Sequence, residues 1–156
     1  MANEIERKYL VKNDGWREHV LSRQRMKQGY LASGERATVR VRIAGDRAWL
    51  TIKGATRGIS RSEFEYPIPV ADAEQLLSEM VEQPYIDKTR YRVQEGPHTW
   101  EVDVFEGENR GLVLAELELG SEDEPFDLPA WAGEEVSADP RYYNARLARH
   151  PYRSWK

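Results

Sequence analysis

The stretch "EIERKYLV" at residues 4–11 alternates charged and apolar side chains, and its interpretation decides the fold. Glu4, Glu6 and Lys8 are two residues apart, so a β-strand would place all three on one face. Ile5 and Val11 would lie on the opposite face. The question is therefore whether these two carboxylates and one ammonium face solvent or bound ions.

Composition limits the possible functions of this 156-residue chain, which has 32% charged residues, a formal charge of −4 and no cysteine. The length suffices for a single domain, which we predict over 1–156. The acidic balance argues against nucleic acid or an anionic membrane as a partner. Without cysteine there are no disulfides, zinc–thiolate sites or cysteine nucleophiles. With no signal pattern and no long apolar run, we expect a soluble, cytoplasmic protein.

Alternation with period two predicts a chain made mostly of β-strands. Turn residues at 44–46 and 95–98 predict hairpins between neighbouring strands. The predicted strands cover 3–11, 28–32, 36–44, 47–54, 58–68, 85–94, 98–106 and 112–120.

Helices are predicted at three places. Asp72 is the expected N-cap of a helix over 72–81, and Asp139 that of a helix over 139–150 with Pro140 at its first position. A third helix is predicted over 14–25. The turn-rich stretch 120–135 is acidic and indicates an excursion from the core. The order of elements is typical of an antiparallel α+β chain.

Charged and hydroxyl side chains keep to one face of the predicted strands, which allows two interpretations. Antiparallel sheets often expose one face, so these side chains could lie in water. Alternatively, the sheet closes into a barrel and they line its lumen, which leaves the apolar faces outside for helices to cover. The abundance of arginine, whose forked donors suit phosphate oxygens, favours the second interpretation.

Several motifs resemble those of one known family. "EIERK" at 4–8 resembles the ExExK signature of the CYTH superfamily, also called triphosphate tunnel metalloenzymes. The motifs that follow in the family's order are "VRVR", "LTIKG", "SRSEFE", "DKTRY", "EVDVFEG", "LAELEL" and "GEEVSADPRYYN". The resemblance covers nearly the whole chain and is greatest to the short bacterial inorganic triphosphatases. It implies an eight-stranded antiparallel β-barrel, a tunnel with a charged lumen and helices packed outside.

The resemblance also implies roles for the lumen residues. The cations that would bind a triphosphate are Lys8, Arg40, Arg42, Lys53, Arg61, Lys88 and Arg90. Glu4, Glu6, Glu116 and Glu118 would hold Mg²⁺ or Mn²⁺, the hard cations that oxygen donors suit. Glu63, Glu65 and Asp103 would either hold a second metal ion or orient the arginines.

A catalytic pair is implied by the same family. Lys8 and Tyr30 match a lysine–tyrosine dyad of the inorganic triphosphatases. We hypothesise that the ammonium favours the phenolate form of the tyrosine, which takes a proton from water. The alternative for Tyr30 is a packed aromatic residue of the barrel.

Three functions follow from these expectations. The first is metal-dependent hydrolysis of inorganic triphosphate to pyrophosphate and phosphate. The second is action on an organic triphosphate, as in thiamine triphosphatases or class IV adenylate cyclases. The third is a polyphosphate-binding module without catalysis, which the carboxylates disfavour because they would repel the ligand. The family includes dimers, so a homodimer is also possible.

Overall fold

The computed structural model describes residues 3–155, so residues 1, 2 and 156 of the predicted domain lie outside it. Nine strands and two α-helices form the fold. The strands are β1 Asn3–Val11, β2 Val20–Ser33, β3 Ala37–Ala44, β4 Arg47–Gly54, β5 Ser60–Ile68, β6 Ile86–Glu95, β7 His98–Phe105, β8 Val113–Glu118 and β9 Ala132–Glu135. The helices are α1 Val70–Glu79 and α2 Asn144–Arg149, and short 3₁₀ helices cover Asp14–His19, Gly107–Asn109, Pro140–Tyr142 and Tyr152–Ser154.

The strands close into an antiparallel barrel, as the sequence predicts. Their order is β5-β4-β3-β2-β6-β7-β8-β1, and β1 pairs back with β5, where Glu4 lies opposite Arg61. The ninth strand adds to β1 outside this ring. Gly45 and Gly96 have positive φ angles of 64° and 57° in the two predicted hairpin turns. Glycine adopts this left-handed conformation without the steric cost of a side chain.

The apolar strand faces point outward. Val41 and Ile43 of β3 pack against Ala73 and Leu77 of α1. A second cluster on the outer side of β7 and β8 is covered by the 3₁₀ helix Asp14–His19 and by connecting segments. It consists of Tyr9, Trp16, Val93, Trp100, Val102, Ala115, Leu117, Leu119, Trp131 and Ala132. With both apolar faces covered from outside, the opposite faces of these strands point into the barrel.

Helix α2 lies at one end of the barrel. Leu147 and Ala148 of this helix are fully buried with Ile86, Phe105 and Leu114. These three strand residues have the same parity as the charged residues of their strands, so they point into the barrel. An apolar layer at this end therefore closes the lumen and anchors the C-terminal segment.

Two predicted helices differ from the structure. The helix over 14–25 was a wrong prediction: a 3₁₀ helix ends at His19, and Val20 begins β2. The segment from Val20 to Gln28 pairs with β6, and these ladder hydrogen bonds override its weak helical pattern. The predicted helix over 139–150 is interrupted at Tyr143, whose backbone is extended.

Caps and connections also differ in part. Asp139 accepts a hydrogen bond from the Arg141 backbone at 3.1 Å and so caps the 3₁₀ turn that follows, as predicted. Asp72 is not a cap, because α1 begins two residues earlier with Pro69 at the N-cap position. Its carboxylate lies in the first turn, where the helix dipole favours negative charge. The stretch 120–135 ends in β9, which was not predicted. No helix of residues 3–155 is long and apolar enough to cross a membrane.

Candidate functional site

A polar cavity of about 270 Å³ occupies the barrel lumen and is lined by residues of all eight strands. The charged faces therefore lie inside, which confirms the second interpretation of the strand pattern. Its lining includes Glu4, Glu6, Lys8, Gln28, Tyr30, Arg40, Arg42, Lys53, Arg61, Glu63, Glu65, Lys88, Arg90, Glu116 and Glu118. Of the predicted site residues only Asp103 is not in direct contact with the cavity. The C-terminal segment adds Ser137, Tyr143 and Asn144 to the wall.

Asp103 lies at the centre of the most buried charged cluster of the lumen, together with Lys88 and Arg90. Its carboxylate accepts hydrogen bonds from Lys88 Nζ at 2.7 Å and from Arg90 Nε and Nη2 at 2.8 and 2.9 Å. Burial opposes its ionisation, but Arg90 and Lys88 hold the pKa of Asp103 below its usual range. Burial lowers the pKa of Lys88 to about 7 although Asp103 acts in the opposite direction. Asp103 thus fixes two cations at the edge of the cavity.

Glu116 connects the Asp103 cluster to β1. It accepts a hydrogen bond from Arg90 Nη2 at 2.8 Å, and Lys8 Nζ lies 3.5 Å from it. Burial would raise the pKa of Glu116, but Lys8 and Arg90 lower it to about 2. Lys8 also donates to the backbone carbonyl of Tyr142 at 3.1 Å. The lysine of the "EIERK" stretch therefore bridges a strand carboxylate and the C-terminal segment.

A second cluster lies around Glu4 on the β4 and β5 side of the lumen. Lys53 Nζ is 3.1 Å from both carboxylate oxygens of Glu4, and Arg61 Nε is 3.2 Å from one of them. Burial opposes ionisation here too, and the charges of Lys53 and Arg61 nevertheless lower the pKa of Glu4. Lys53 Nζ also lies 3.4 Å from Glu63. In this cluster, basic and acidic groups thus neutralise one another.

Glu65 contacts Arg40 in the same part of the barrel. Its carboxylate accepts a hydrogen bond from Thr51 at 3.0 Å and lies 3.7 Å from Arg40 Nη2. Arg40 Nε is buried without a hydrogen-bond partner among residues 3–155. A buried donor without a partner is costly, and an anion in the cavity could supply the missing acceptor.

Two carboxylates of the lumen have no cationic partner. Glu6 lies opposite Glu118 in the β1–β8 ladder, and neither forms an ion pair with any described residue. Burial, followed by the charges of Glu116 and Glu4, raises the pKa of Glu6 to about 8. Burial and the nearby Glu4 also raise the pKa of Glu118. A divalent cation would relieve this repulsion, so the donor set suits Mg²⁺ or Mn²⁺.

The predicted metal ligands are not gathered into one site. Within the described residues, no three acidic or histidine side chains surround a common point. Glu4 and Glu116 instead face lysine and arginine. The chemistry of the four predicted ligands fits a hard cation, but two of them would have to exchange a cationic partner for it.

Arg42 is the opposite case, a cation without an acidic partner. No carboxylate of residues 3–155 lies within 4.0 Å of its guanidinium. Its Nε donates to Gln28 Oε1 at 2.7 Å. Burial, together with the charges of Arg40 and Arg90, lowers the pKa of Arg42 to about 9. The positive charge of Arg42 therefore faces the cavity without a carboxylate partner.

The predicted dyad is brought to the same cavity but not into direct contact. Tyr30 is 5% exposed, and its hydroxyl forms no hydrogen bond with a described residue. Lys8 Nζ instead lies 5.5 Å from the centre of the Tyr143 ring. Gln28 and Tyr143 were not predicted as site residues. The parity that Gln28 shares with Tyr30 could have indicated it, whereas Tyr143 lies in a segment without periodicity.

Comparisons with known proteins agree with this geometry. Residues 2–151 match the CYTH domain family. An inorganic triphosphatase of Acetivibrio thermocellus is 46% identical over 159 residues, covering 100% of this chain and 99% of the relative. One of Nitrosomonas europaea is 38% identical over 150 residues, covering 93% and 96%. The crystal structure of the inorganic triphosphatase NE1496 superposes with a TM-score of 0.67 at 36% identity, covering 93% of this chain and 97% of that one.

Proposed function

The chain belongs to the CYTH domain family, and we propose that it hydrolyses inorganic triphosphate to pyrophosphate and phosphate in a metal-dependent reaction inside the barrel. The observation that carries this proposal is the closed lumen in which every predicted phosphate-binding cation lines one cavity. The activity named for its relatives of similar length supports the same substrate.

Electrostatics explain how the lumen would bind a triphosphate. One cation about 4 Å from one phosphate charge is worth roughly 4 kcal/mol at an effective dielectric constant of 20. Arg42 supplies such a charge without first losing a carboxylate partner. Lys53 and Arg90, in contrast, are each paired with an acid. A bound metal ion would give the carboxylates of these ion pairs a new partner, and a bound polyanion would do the same for the lysine and arginine. Each would therefore bind better in the presence of the other.

The proposed metal ligands are the four carboxylates that the sequence indicates, Glu4, Glu6, Glu116 and Glu118. Mg²⁺ or Mn²⁺ bound there would neutralise charge on the phosphates during transfer. The remaining acids Glu63, Glu65 and Asp103 each contact a lysine or arginine. Asp103 is the one of the three that does not contact the cavity, so we assign it the orienting role, and Glu63 and Glu65 keep the two alternatives that the sequence leaves open.

The proton transfer is assigned to Lys8 of β1 and Tyr30 of β2, two strands that face each other across the lumen. Tyr30 in its phenolate form would take a proton from the attacking water and become a neutral phenol, and the ammonium of Lys8 would stabilise the phenolate before that transfer. The carbonyl of Tyr142 and the ring of Tyr143 hold the ammonium of Lys8 at the cavity wall. Inside the barrel, where the effective dielectric constant is lower than in bulk water, each of these electrostatic contributions would be stronger.

A substrate assay tests the proposal. Purified protein is incubated with triphosphate, thiamine triphosphate or ATP in Mg²⁺, Mn²⁺ or EDTA, and phosphate, pyrophosphate and cyclic nucleotide are measured. We expect equal amounts of phosphate and pyrophosphate from triphosphate, and none in EDTA. Arg90→Met should abolish turnover, whereas Arg23→Met, an exposed arginine of β2, should not change it. Triphosphate that is bound but not cleaved, or faster cleavage of an organic substrate, would contradict the proposal.

A further inference from the structure

We infer that Gln28 is a positioning residue, which orients Arg42 directly and is linked to Lys88 through Asn144. This inference rests on the proposed function, since its consequence is tighter binding of the triphosphate. Gln28 lies on β2 in the inward parity and is 1% exposed. None of the expectations from the sequence assigns it a role.

The contacts form one continuous chain along the wall made by the adjacent strands β3, β2 and β6. Arg42 Nε donates to Gln28 Oε1 at 2.7 Å, and Gln28 Nε2 donates to Asn144 Oδ1 at 3.0 Å. Lys88 Nζ donates to the same Asn144 oxygen at 3.1 Å. Two cations on different strands, β3 and β6, are thereby connected through two neutral amides. The second amide belongs to the first residue of α2.

The cations at the two ends fix the orientation of both amides. Guanidinium and ammonium groups only donate hydrogen bonds, so each requires an amide oxygen. Gln28 therefore turns its oxygen to Arg42 and its nitrogen to Asn144, and Asn144 turns its oxygen toward both donors. Every contact in this arrangement joins a donor to an acceptor. Turning either amide over would create two unfavourable contacts, so the arrangement is unique.

A neutral partner for Arg42 has a consequence for anion binding. The other cations that contact the cavity and have a partner, such as Lys53 and Arg90, face carboxylates. Gln28 restrains the guanidinium through Nε without neutralising its charge. Both terminal nitrogens of Arg42 remain free of protein partners among residues 3–155. Those two nitrogens form the fork that binds phosphate oxygens in bidentate geometry.

Two substitutions of Gln28 separate its effect on the orientation of Arg42 from its effect on the charge beside Arg42. Gln28→Met keeps the length and removes both hydrogen bonds, so Arg42 loses its orientation. Gln28→Glu keeps the acceptor for Arg42 but places a negative charge beside it, and its second oxygen faces the oxygen of Asn144. We expect kcat/KM for triphosphate to fall about 10-fold in the first variant and more in the second. If Gln28 only filled space, the isosteric glutamate would be tolerated at least as well as methionine.

A double-mutant cycle with Arg42→Met distinguishes positioning from general structural damage. Because Gln28 acts through the guanidinium, Gln28→Met should cause little further loss of kcat/KM once Arg42 is replaced, whereas independent effects would multiply. Gln24→Met, an exposed glutamine on the same strand and face, is the matched control and should behave as wild type. Thermal unfolding of each variant verifies that it is folded.

The possible results are distinct for this inference and for the proposed function. A wild-type protein that does not cleave triphosphate contradicts the function. If the wild type is active but Gln28→Met, or a folded Gln28→Glu, keeps full kcat/KM, the positioning role is overturned and the proposed function stands. Multiplicative losses in the double-mutant cycle would overturn the positioning role as well. If Gln28→Glu fails to fold, the methionine variant and the cycle still decide the question.

Discussion

The ionised side chains of the lumen differ most in whether they have a partner of opposite charge. Asp103 is bound by two cations and is held ionised, whereas Glu6 faces other carboxylates. Arg42 has only an amide beside it. The unpartnered groups are the ones that would gain most from a bound metal ion and triphosphate, because none of them has to give up a protein partner of opposite charge.

Glu6 should make the stability of the metal-free protein depend on pH. Its pKa is about 8 in the folded protein against 4.5 for the ordinary side chain, so the folded state loses stability as pH rises from about 4.5 to 8. In EDTA, Glu6→Gln should raise Tm relative to wild type by roughly 5 °C at pH 8.5, with a much smaller difference at pH 5. Glu18→Gln, an exposed control, should show no such change. The same Tm difference at both pH values would contradict the assignment.

Tyr30 tests the proposed proton transfer. Tyr30→Phe keeps the buried ring and removes only the hydroxyl, so kcat should fall about 100-fold with little change in KM or Tm. Tyr66→Phe, at a tyrosine of β5 that is 53% exposed, is the control. A Tyr30→Phe variant that retains most of its turnover, with an unchanged alkaline limb of the pH profile, would exclude Tyr30 as the base.

At the scale of elements, most strands could be predicted from sequence, whereas the C-terminal helix was predicted too long and β9 was missed. Period-two alternation determines which face of β1 or β3 carries charge, and the two hairpin glycines mark their turns. The N-terminal half of β2 was predicted as a helix from a weak local pattern. Its partner β6, which makes it a strand, is more than sixty residues away in the sequence. Long-range pairing of this kind leaves no local signal.

The same limit applies to the site. Most of its residues belong to strands and were found by parity and by resemblance. Tyr143 and Asn144 line the cavity only because α2 packs its Leu147 into the end of the barrel. That tertiary contact has no periodic signature in a six-residue helix.

Gly29 tests how closely α1 packs on the outer face of β2. A Cβ atom at this position would lie 2.6 Å from Val81 Cγ2 and 3.1 Å from Leu77 Cδ2. Gly29→Ala must therefore displace the end of α1, and we expect it to lower the free energy of unfolding by about 1–3 kcal/mol. Urea unfolding measures this, with Gly34→Ala as control because only the Ala37 carbonyl, at 3.7 Å, is near that position. Equal stability of both variants would mean that α1 is not seated against this strand.

For the whole molecule, the arrangement of layers determines the function. An ordinary antiparallel barrel of this size fills its interior with apolar side chains. Here α1 and connecting segments cover most of the apolar outer surface, although Phe64 and Tyr66 of β5 stay exposed, and α2 packs into one end. The interior is thereby available for a dense set of charges that are nearly balanced in the absence of ligand. In the proposed complex the metal ion would pair with carboxylates of the lumen, and the polyphosphate would pair with its lysine and arginine side chains.

A crystal structure with Mn²⁺ and triphosphate would test this claim most directly, with anomalous scattering to locate the metal. We predict triphosphate density within the lumen, hydrogen-bonded to the terminal nitrogens of Arg42, and a manganese peak bound by Glu6 and Glu118. Triphosphate on the outer surface, or an empty lumen in crystals of protein that cleaves the substrate in solution, would contradict the account.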